Sequence, residues 1–254
     1  MIDLQKDWEF NVLEIYNYRK PGQYDVLFKF IKDNHDKIPG DIVEAGVFRG
    51  KSIIALGMIL KELGSDKRIF GFDSFSGFPT VYHPKDNLEE FDHLFQRGEI
   101  TKEHISEAKK NIEWRRVVSG DKISAKNISS SGDFSGTTID LVRRKIQLLD
   151  LDNIVLIDGP FSKTMTENCF EPATIMAVLV DCDLYESYSQ ALAFVWPRLS
   201  PGGLVYLDEY YSLKFPGART ATNEFLARNT AVLKMAEIKP LDFERWYLSK
   251  PILV

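Results

Sequence analysis

Four apolar runs in this 254-residue chain end in acid: at Asp73, at Asp158, at Asp181 and at the pair Asp208-Glu209. A carboxylate at the end of a strand faces the crevice beyond the sheet, and in open α/β sheets that crevice is where ligands bind. Asp181-Cys182-Asp183 closes the most apolar run and Asp208-Glu209 closes the next. Adjacent parallel strands lie about 4.8 Å apart, so neighbouring tips bring such acids together. Several carboxylates in one crevice repel one another and raise each other's pKa. A hard divalent cation removes that cost. Mg2+ takes oxygen ligands at about 2.1 Å, keeps several waters and leaves room for a substrate hydroxyl. A hydroxyl held there becomes more acidic, and a carboxylate beside it can take its proton. Asp181 and Asp183 share a face if the strand continues, so the pattern leaves open which is the ligand. The expectation for Asp183 is the N-cap of the helix starting near Tyr185.

A second constellation begins at residues 43–52 (VEAGVFRGKS). Gly46 would let the backbone approach a ligand closely, and Gly50 would permit a tight turn. Ser52 falls in the first turn of the following helix, where amides and a hydroxyl receive a carboxylate. Glu44 can hold an ammonium group or the donors of the loop. Together they suit an amino-acid zwitterion. The next run ends at Asp73, 27 residues after Gly46, where an acid accepts from both ribose hydroxyls. The loop Ser74-Phe75-Ser76-Gly77-Phe78-Pro79 reads as a cover over a ligand, and Asp158-Gly159-Pro160-Phe161 as a bracket for an adenine ring. The spacing G-x-x-x-G is not the dinucleotide fingerprint G-x-G-x-x-G.

These residues need strands and helices in alternation, and the chain supplies them. Strand-like runs at 41–46, 68–73, 153–158, 175–181 and 203–208 are separated by helix-like ones at 51–63, 138–149, 187–199 and 219–228. Two late strand-like runs, 232–237 and 243–248, flank Lys239-Pro240 as a hairpin. Such alternation predicts a Rossmann-like α/β sheet, mostly parallel, with a late antiparallel hairpin. Residues 1–36 read as an N-terminal helical extension of a single domain, and 81–133 as a lid insertion containing the candidate proton acceptors His83 and His93.

Composition narrows the function. The net charge of −5 argues against general nucleic-acid binding. No apolar run reaches the roughly 20 residues that cross a bilayer. The opening MIDLQKDWEFNVLEIYNY lacks the basic start and apolar centre of a signal peptide. Cys169 and Cys182 make neither a disulfide framework nor a Cys-rich zinc site, so a reducing cytoplasm is expected.

Residues 39–52 (PGDIVEAGVFRGKS), 70–79 (FGFDSFSGFP), 179–187 (LVDCDLYES) and 202–210 (GGLVYLDEY) resemble, in that order, the macrocin O-methyltransferase family, which acts on sugars of macrolides and related products. Residues 134–163 and 216–227 are similar to the same pattern. The resemblance implies a class I methyltransferase fold, S-adenosylmethionine as methyl donor, Mg2+ as metal, a sugar-like small-molecule acceptor and a homodimer. By position, Asp181 matches the aspartate that binds metal and serves as base; Asp208 and Glu209 match the other two metal ligands. Glu44, Gly46, Ser52 and Asp73 match the family's cofactor positions; Phe48, Ser74, Asp158, Gly159, Phe161 and Asp181 complete the candidate cofactor-binding residues. Related catechol-type enzymes carry a lysine three residues after the first aspartate; here that residue is Leu184. The family's Asp-Asp-Tyr is Asp208-Glu209-Tyr210 in this chain, and its Trp-Arg-Gly is Phe48-Arg49-Gly50.

Residues 81–133 match poorly, so the acceptor does not follow from the resemblance. Lys109, Lys110, Arg115, Arg116, Lys122 and Lys126 outnumber Glu113 and Asp121 there, which raises an anionic acceptor as an expectation against that of a solvated helix face. Tyr16-Asn17-Tyr18-Arg19 is expected to cover the cofactor or meet another subunit. Two rival functions remain: a nicotinamide-dependent oxidoreductase, which has no use for the paired strand-tip acids, and a non-catalytic S-adenosylmethionine binder.

Overall fold

A computed structural model describes residues 4–166, 174–237 and 242–252. Cys169 and the Lys239-Pro240 turn lie outside the described residues. In chain order the elements are α1 (Asp7–Val12), α2 (Asp25–Asn34), β1 (Asp41–Ala45), α3 (Lys51–Glu62), β2 (Ile69–Asp73), a 3-10 turn (Pro84–Asp86), α4 (Glu90–Gln96), α5 (Lys102–Ser119), α6 (Ile139–Leu148), β3 (Ile154–Asp158), α7 (Phe161–Thr164), β4 (Ile175–Val180), α8 (Tyr185–Arg198), β5 (Leu199–Leu207), α9 (Pro216–Leu226), β6 (Val232–Met235) and β7 (Trp246–Ser249).

The seven strands form one sheet in the order β3-β2-β1-β4-β5-β7-β6. The first five of that order run parallel, and β7 lies antiparallel to both β5 and β6. This is the expected Rossmann-like sheet with its late antiparallel hairpin. β1 and β4 are buried throughout, as parallel strands covered on both faces must be. Strand order reverses between them, and that switch point fixes where a crevice opens. Register does the rest. Ala45 pairs with Phe72 and with Val180, and Val180 with Leu207. The next residue on each strand, Gly46, Asp73, Asp181 and Asp208, therefore stands in one row along the carboxyl edge.

Helix α3 is apolar around most of its circumference, with Ser52 to Leu60 all buried. A helix of that kind needs cover on its outer side. Residues 4–34 supply it: Phe10, Leu27, Phe28 and Ile31 share one core with Ile53, Leu56 and Ile59. Each such fully buried side chain contributes about 1.5–3 kcal/mol. In the insertion, α4 and α5 pack on Leu213 through Phe91, Leu94, Ile105 and Ala108. α5 has sequence-readable ends: the Thr101 hydroxyl accepts from the His104 N–H at 3.1 Å, and Gly120 closes it at φ +73°.

Four element starts differ from the sequence reading by two residues or more: β5 begins at Leu199, not 203, β7 at Trp246, not 243, and two helices differ for stated reasons. α9 begins at Pro216, not near 219, because proline at the first helical position is preorganised for a helix. α8 begins at Tyr185, not 187. Its first amide is capped from far away, the Tyr185 N–H donating to Asp86 Oδ1 at 2.7 Å. Asp183 therefore does not cap α8, as expected of it; no side chain of the preceding turn does. Asp183 instead sits at φ +60° in a three-residue turn, with the Leu184 N–H donating to the Cys182 carbonyl at 2.6 Å.

Candidate functional site

The loop after β1 starts at Gly46, with φ +95°. A Cβ there would stand 1.7 Å from the Asp181 carbonyl oxygen. Glycine is thus required for the tips of β1 and β4 to abut, a tighter constraint than the ligand approach expected of it. Gly50, at φ +79°, turns the chain into α3 as expected. Asp73 knits the loops together: its Oδ2 accepts from the Val47 and Phe48 N–H groups at 2.7 and 2.8 Å, and its Oδ1 from the Phe75 N–H at 2.7 Å. A carboxylate offers about four acceptor positions, so one remains for a ligand. Glu44 is fully buried beneath the loop and accepts from the Ser52 hydroxyl at 2.8 Å; its Oε2 has no hydrogen-bond partner. Burial pushes the Glu44 carboxyl well above the usual range.

Beside these loops opens a cavity of about 550 Å³. Gly46, Phe48, Ser52, Asp73, Ser74, Phe161 and Asp181 of the expected donor residues line it. Glu44 lies behind its wall. Asp158 and Gly159 stand outside the lining on the outermost parallel strand, with Asp158 exposed, because β3 is two strands away from the switch point. Asp158 does not cap α7 either, since no side chain does.

Three wall residues carried no sequence signal for this site. Phe134, from the Ser/Gly loop, stacks edge-on to Phe48 at 5.1 Å and against Phe78 at 5.0 Å, roofing the cavity. Tyr82 meets Phe78 at 6.2 Å. Tyr24, between α1 and α2, is buried and donates its hydroxyl to Asp181 Oδ2 at 2.9 Å. Tyrosine in a solvated N-terminal run gives no hint of a partner 157 residues away. The neighbouring Tyr16-Asn17-Tyr18-Arg19 run binds α3 instead of covering the cavity: the Tyr16 N–H donates to the Lys51 carbonyl at 2.9 Å, and Arg19 pairs with Glu62 at 2.7 Å.

At the tips of β4 and β5, one carboxylate oxygen each from Asp181, Asp208 and Glu209 lie within 4.8 Å of one another. Asp181 is the member that faces the cavity. Burial and then the Asp208 charge push the Asp181 carboxyl up to about 7. Burial also raises Asp208, and burial followed by Asp208, Asp183 and Asp181 raises Glu209 well above its usual value. Glu209 is held by Tyr188, whose hydroxyl donates to its Oε2 at 2.6 Å and accepts from its backbone N–H at 2.9 Å. Asp208 Oδ1 is buried with no hydrogen-bond partner among the described residues. A bare buried oxygen amid mutually repelling carboxylates fits a hard divalent cation, whose charge and oxygen preference answer both features. Leu184 is buried among apolar side chains, in agreement with the absence of a lysine base at that position.

The basic cluster of the insertion does not face the cavity, and the anionic-acceptor expectation loses its carrier. Lys109 pairs with Asp92 at 2.6 Å, Arg116 pairs with Glu113, Lys110 lies over the Trp114 ring, and Arg115 donates to the Asn127 and Ser129 carbonyls at 3.2 Å. Helix α5 turns them outward because its inner face is spent on Ile105, Ala108 and Ile112. His93 pairs with Glu90 away from the cavity. His83 lines it, stacked 4.3 Å from the Tyr185 ring, but its Nδ1 accepts from the Lys85 N–H at 3.2 Å.

A family model described as Macrocin-O-methyltransferase matches residues 26–114 and 124–245, so of the stretch 81–133, expected to match poorly, only 115–123 is left unmatched. An 8-demethyl-8-(2,3-dimethoxy-alpha-L-rhamnosyl)-tetracenomycin-C 4'-O-methyltransferase of Streptomyces olivaceus is 28% identical over 195 residues, 76% of this chain and 60% of that protein. A mycinamicin III 3''-O-methyltransferase of Micromonospora griseorubida is 28% identical over 204 residues, 80% of this chain and 66% of that protein. The chain thus matches just under two thirds of these relatives' lengths. Among solved structures, the O-methyltransferase NovP is similar with a TM-score of 0.61 at 22% identity, covering 89% of this chain and 80% of that one. The calicheamicin methyltransferase CalS11 has a TM-score of 0.60 at 20% identity, covering 96% and 80%. The fold is that of class I methyltransferases.

Proposed function

The chain belongs to the macrocin-O-methyltransferase family, and from that premise we propose that it methylates a hydroxyl of a sugar or similar small polar acceptor, using S-adenosylmethionine and Mg2+. The observation that carries this reading is the acid triad at the tips of β4 and β5, with Asp181 belonging to both triad and cavity. A nicotinamide-dependent oxidoreductase has no need of it.

In this reading Ser52 and the first-turn amides of α3 receive the carboxylate of the donor, and the free acceptor position of Asp73 takes a ribose hydroxyl. Phe48, Phe78, Phe134 and Phe161 keep water from the sulfonium. Asp181, Asp208 and Glu209 would hold the cation, which would supply Lewis acidity toward an acceptor hydroxyl. Asp181 takes the hydroxyl proton on a carboxylate oxygen while Tyr24 fixes the other. Bound in the cavity, S-adenosylmethionine would supply an electrophilic methyl group to the acceptor oxygen, its sulfur keeping the electron pair of the broken sulfur–methyl bond. The products are a methyl ether, S-adenosylhomocysteine and a proton on Asp181. No covalent intermediate with the chain forms; positioning and charge lower the barrier. The family resemblance and the cysteine content support a homodimer in the cytoplasm as part of the same reading.

The test is a transfer assay with methyl-labelled S-adenosylmethionine and a panel of nucleotide sugars and glycosides, with Mg2+ or with chelator, for the chain and for Asp181→Ala. Label should enter a sugar only with Mg2+ and intact Asp181. Thermal stabilisation by NAD and not by S-adenosylmethionine overturns the donor assignment, and transfer that survives the chelator overturns the metal assignment.

A further inference from the structure

The outward face of α5 has no role in the proposed chemistry, and it exposes three large apolar side chains together. Trp114, Val117 and Val118 are 60%, 72% and 77% exposed. At about 100° per residue they occupy one arc of roughly 100°, with Lys110 on the same arc. Ile112, on the opposite side of the helix, packs against the cluster that holds Phe78, Tyr82 and Phe134. The helix thus lies on the cavity roof with one face inward and an apolar strip outward.

Charge surrounds that strip. Residues 109–126 carry six cations and two acids, a net +4 in a chain of net −5. Lys110, Arg116, Lys122 and Lys126 are exposed. Lys110, Lys122 and Lys126 make no ion pair among the described residues. Residues 115–123, which include Val117, Val118 and Lys122, fall in the stretch that the family model leaves unmatched, so the feature belongs to this chain more than to the methyltransferase scaffold.

We propose that this face of α5 docks the protein on an anionic lipid surface. Exposed Trp and aliphatic side chains rimmed by Lys and Arg are the set that lies in the headgroup region, the apolar part entering the boundary and the basic part meeting lipid charge. A two-fold contact between two copies of the same face sets Lys110, Lys122 and Lys126 against the same three cations and is disfavoured. Three apolar residues are a small anchor, so the attachment is reversible and salt-sensitive, and it turns the cavity roof toward the bilayer. The proposal goes beyond the methyl-transfer reading and stands or falls separately from it.

The 254-residue chain is sedimented with vesicles of phosphatidylcholine alone and of phosphatidylcholine with phosphatidylglycerol, at low salt and at about 1 M salt, where the Debye length is only about 3 Å. It should pellet with the anionic vesicles at low salt and stay in solution otherwise. Lys110→Glu with Lys122→Glu should cut the bound fraction at least about fivefold with an unchanged circular dichroism spectrum. Trp114→Ala with Val117→Ser and Val118→Ser should do the same; if that variant misfolds, the charge pair decides alone. The proposal is overturned by equal or no pelleting on the two vesicle types, or by wild-type binding of the charge variant. A concentration-dependent dimer that the apolar variant abolishes overturns it in favour of a second copy, and retention on RNA in place of vesicles overturns it in favour of a nucleic acid.

Discussion

Acidic side chains crowd both halves of the cavity, and the two halves treat them differently. After β1 and β2 the chain answers most of its own carboxylate oxygens: Asp73 takes three backbone amides, and Glu44 takes the Ser52 hydroxyl on one oxygen while its buried Oε2 finds no partner among the described residues. After β4 and β5 the acids mainly face one another; Tyr24 and Tyr188 each hold one, and Asp208 Oδ1 has nothing. Hydrogen bonds from fixed amides stabilise a loop without any ligand, whereas buried like charges destabilise the fold until a cation arrives. In the first half Asp73 is held by fixed donors and Glu44 alone keeps a bare oxygen; in the second, three acids converge on one another.

That contrast is broken or sharpened by four measurements. Asp181→Ala should lower single-turnover methyl transfer by about 10³-fold, since it removes the proton acceptor and a metal ligand together. Its cation-free melting temperature should rise above wild type at pH 8, because a buried repelled charge is gone. A lower melting temperature at pH 8 breaks the comparison. Asp73→Ala should do the reverse. Losing three charge-assisted bonds costs about 2 kcal/mol or more in a urea titration and loosens S-adenosylmethionine binding in calorimetry.

The third measurement uses pH. The folded Asp181 titrates at about 7 against an ordinary value of 3.8, so between those values the folded chain holds a proton that the unfolded chain has lost. Without a cation, stability then falls as pH rises through that window. Mg2+ should raise the melting temperature more at pH 8 than at pH 5; equal shifts count against the triad as its site. Last and smallest, Tyr24→Phe should lower kcat by about tenfold or somewhat more, the worth of one hydrogen bond to a charged group, with donor affinity unchanged. An equal loss of donor affinity would place Tyr24 with the first half instead.

How much of this was legible from residue order follows the range of the forces. Strand tips, glycine turns and helix caps such as Thr101 and Gly120 are decided by neighbours within a few positions, so Gly50, Asp73, Asp181, Asp208 and Glu209 stood out and the sheet was read nearly to its ends. The family motifs marked the same places. Asp158 was misplaced relative to the cavity because equal chemistry at a strand end has a different outcome two strands away from the switch point. Asp183 was given a capping role that Asp86 performs from 99 residues away from Tyr185.

The chain's order of apolar and polar residues determined that a parallel sheet would form and that acids would crown it. Tertiary structure decided which acids meet, that Tyr24 and Phe134 complete the wall, and that the basic residues of α5 point away from it. Those outcomes depend on strand order and on which helix face finds a partner. Both are set by burial summed over the whole molecule, and no local window of sequence contains that sum.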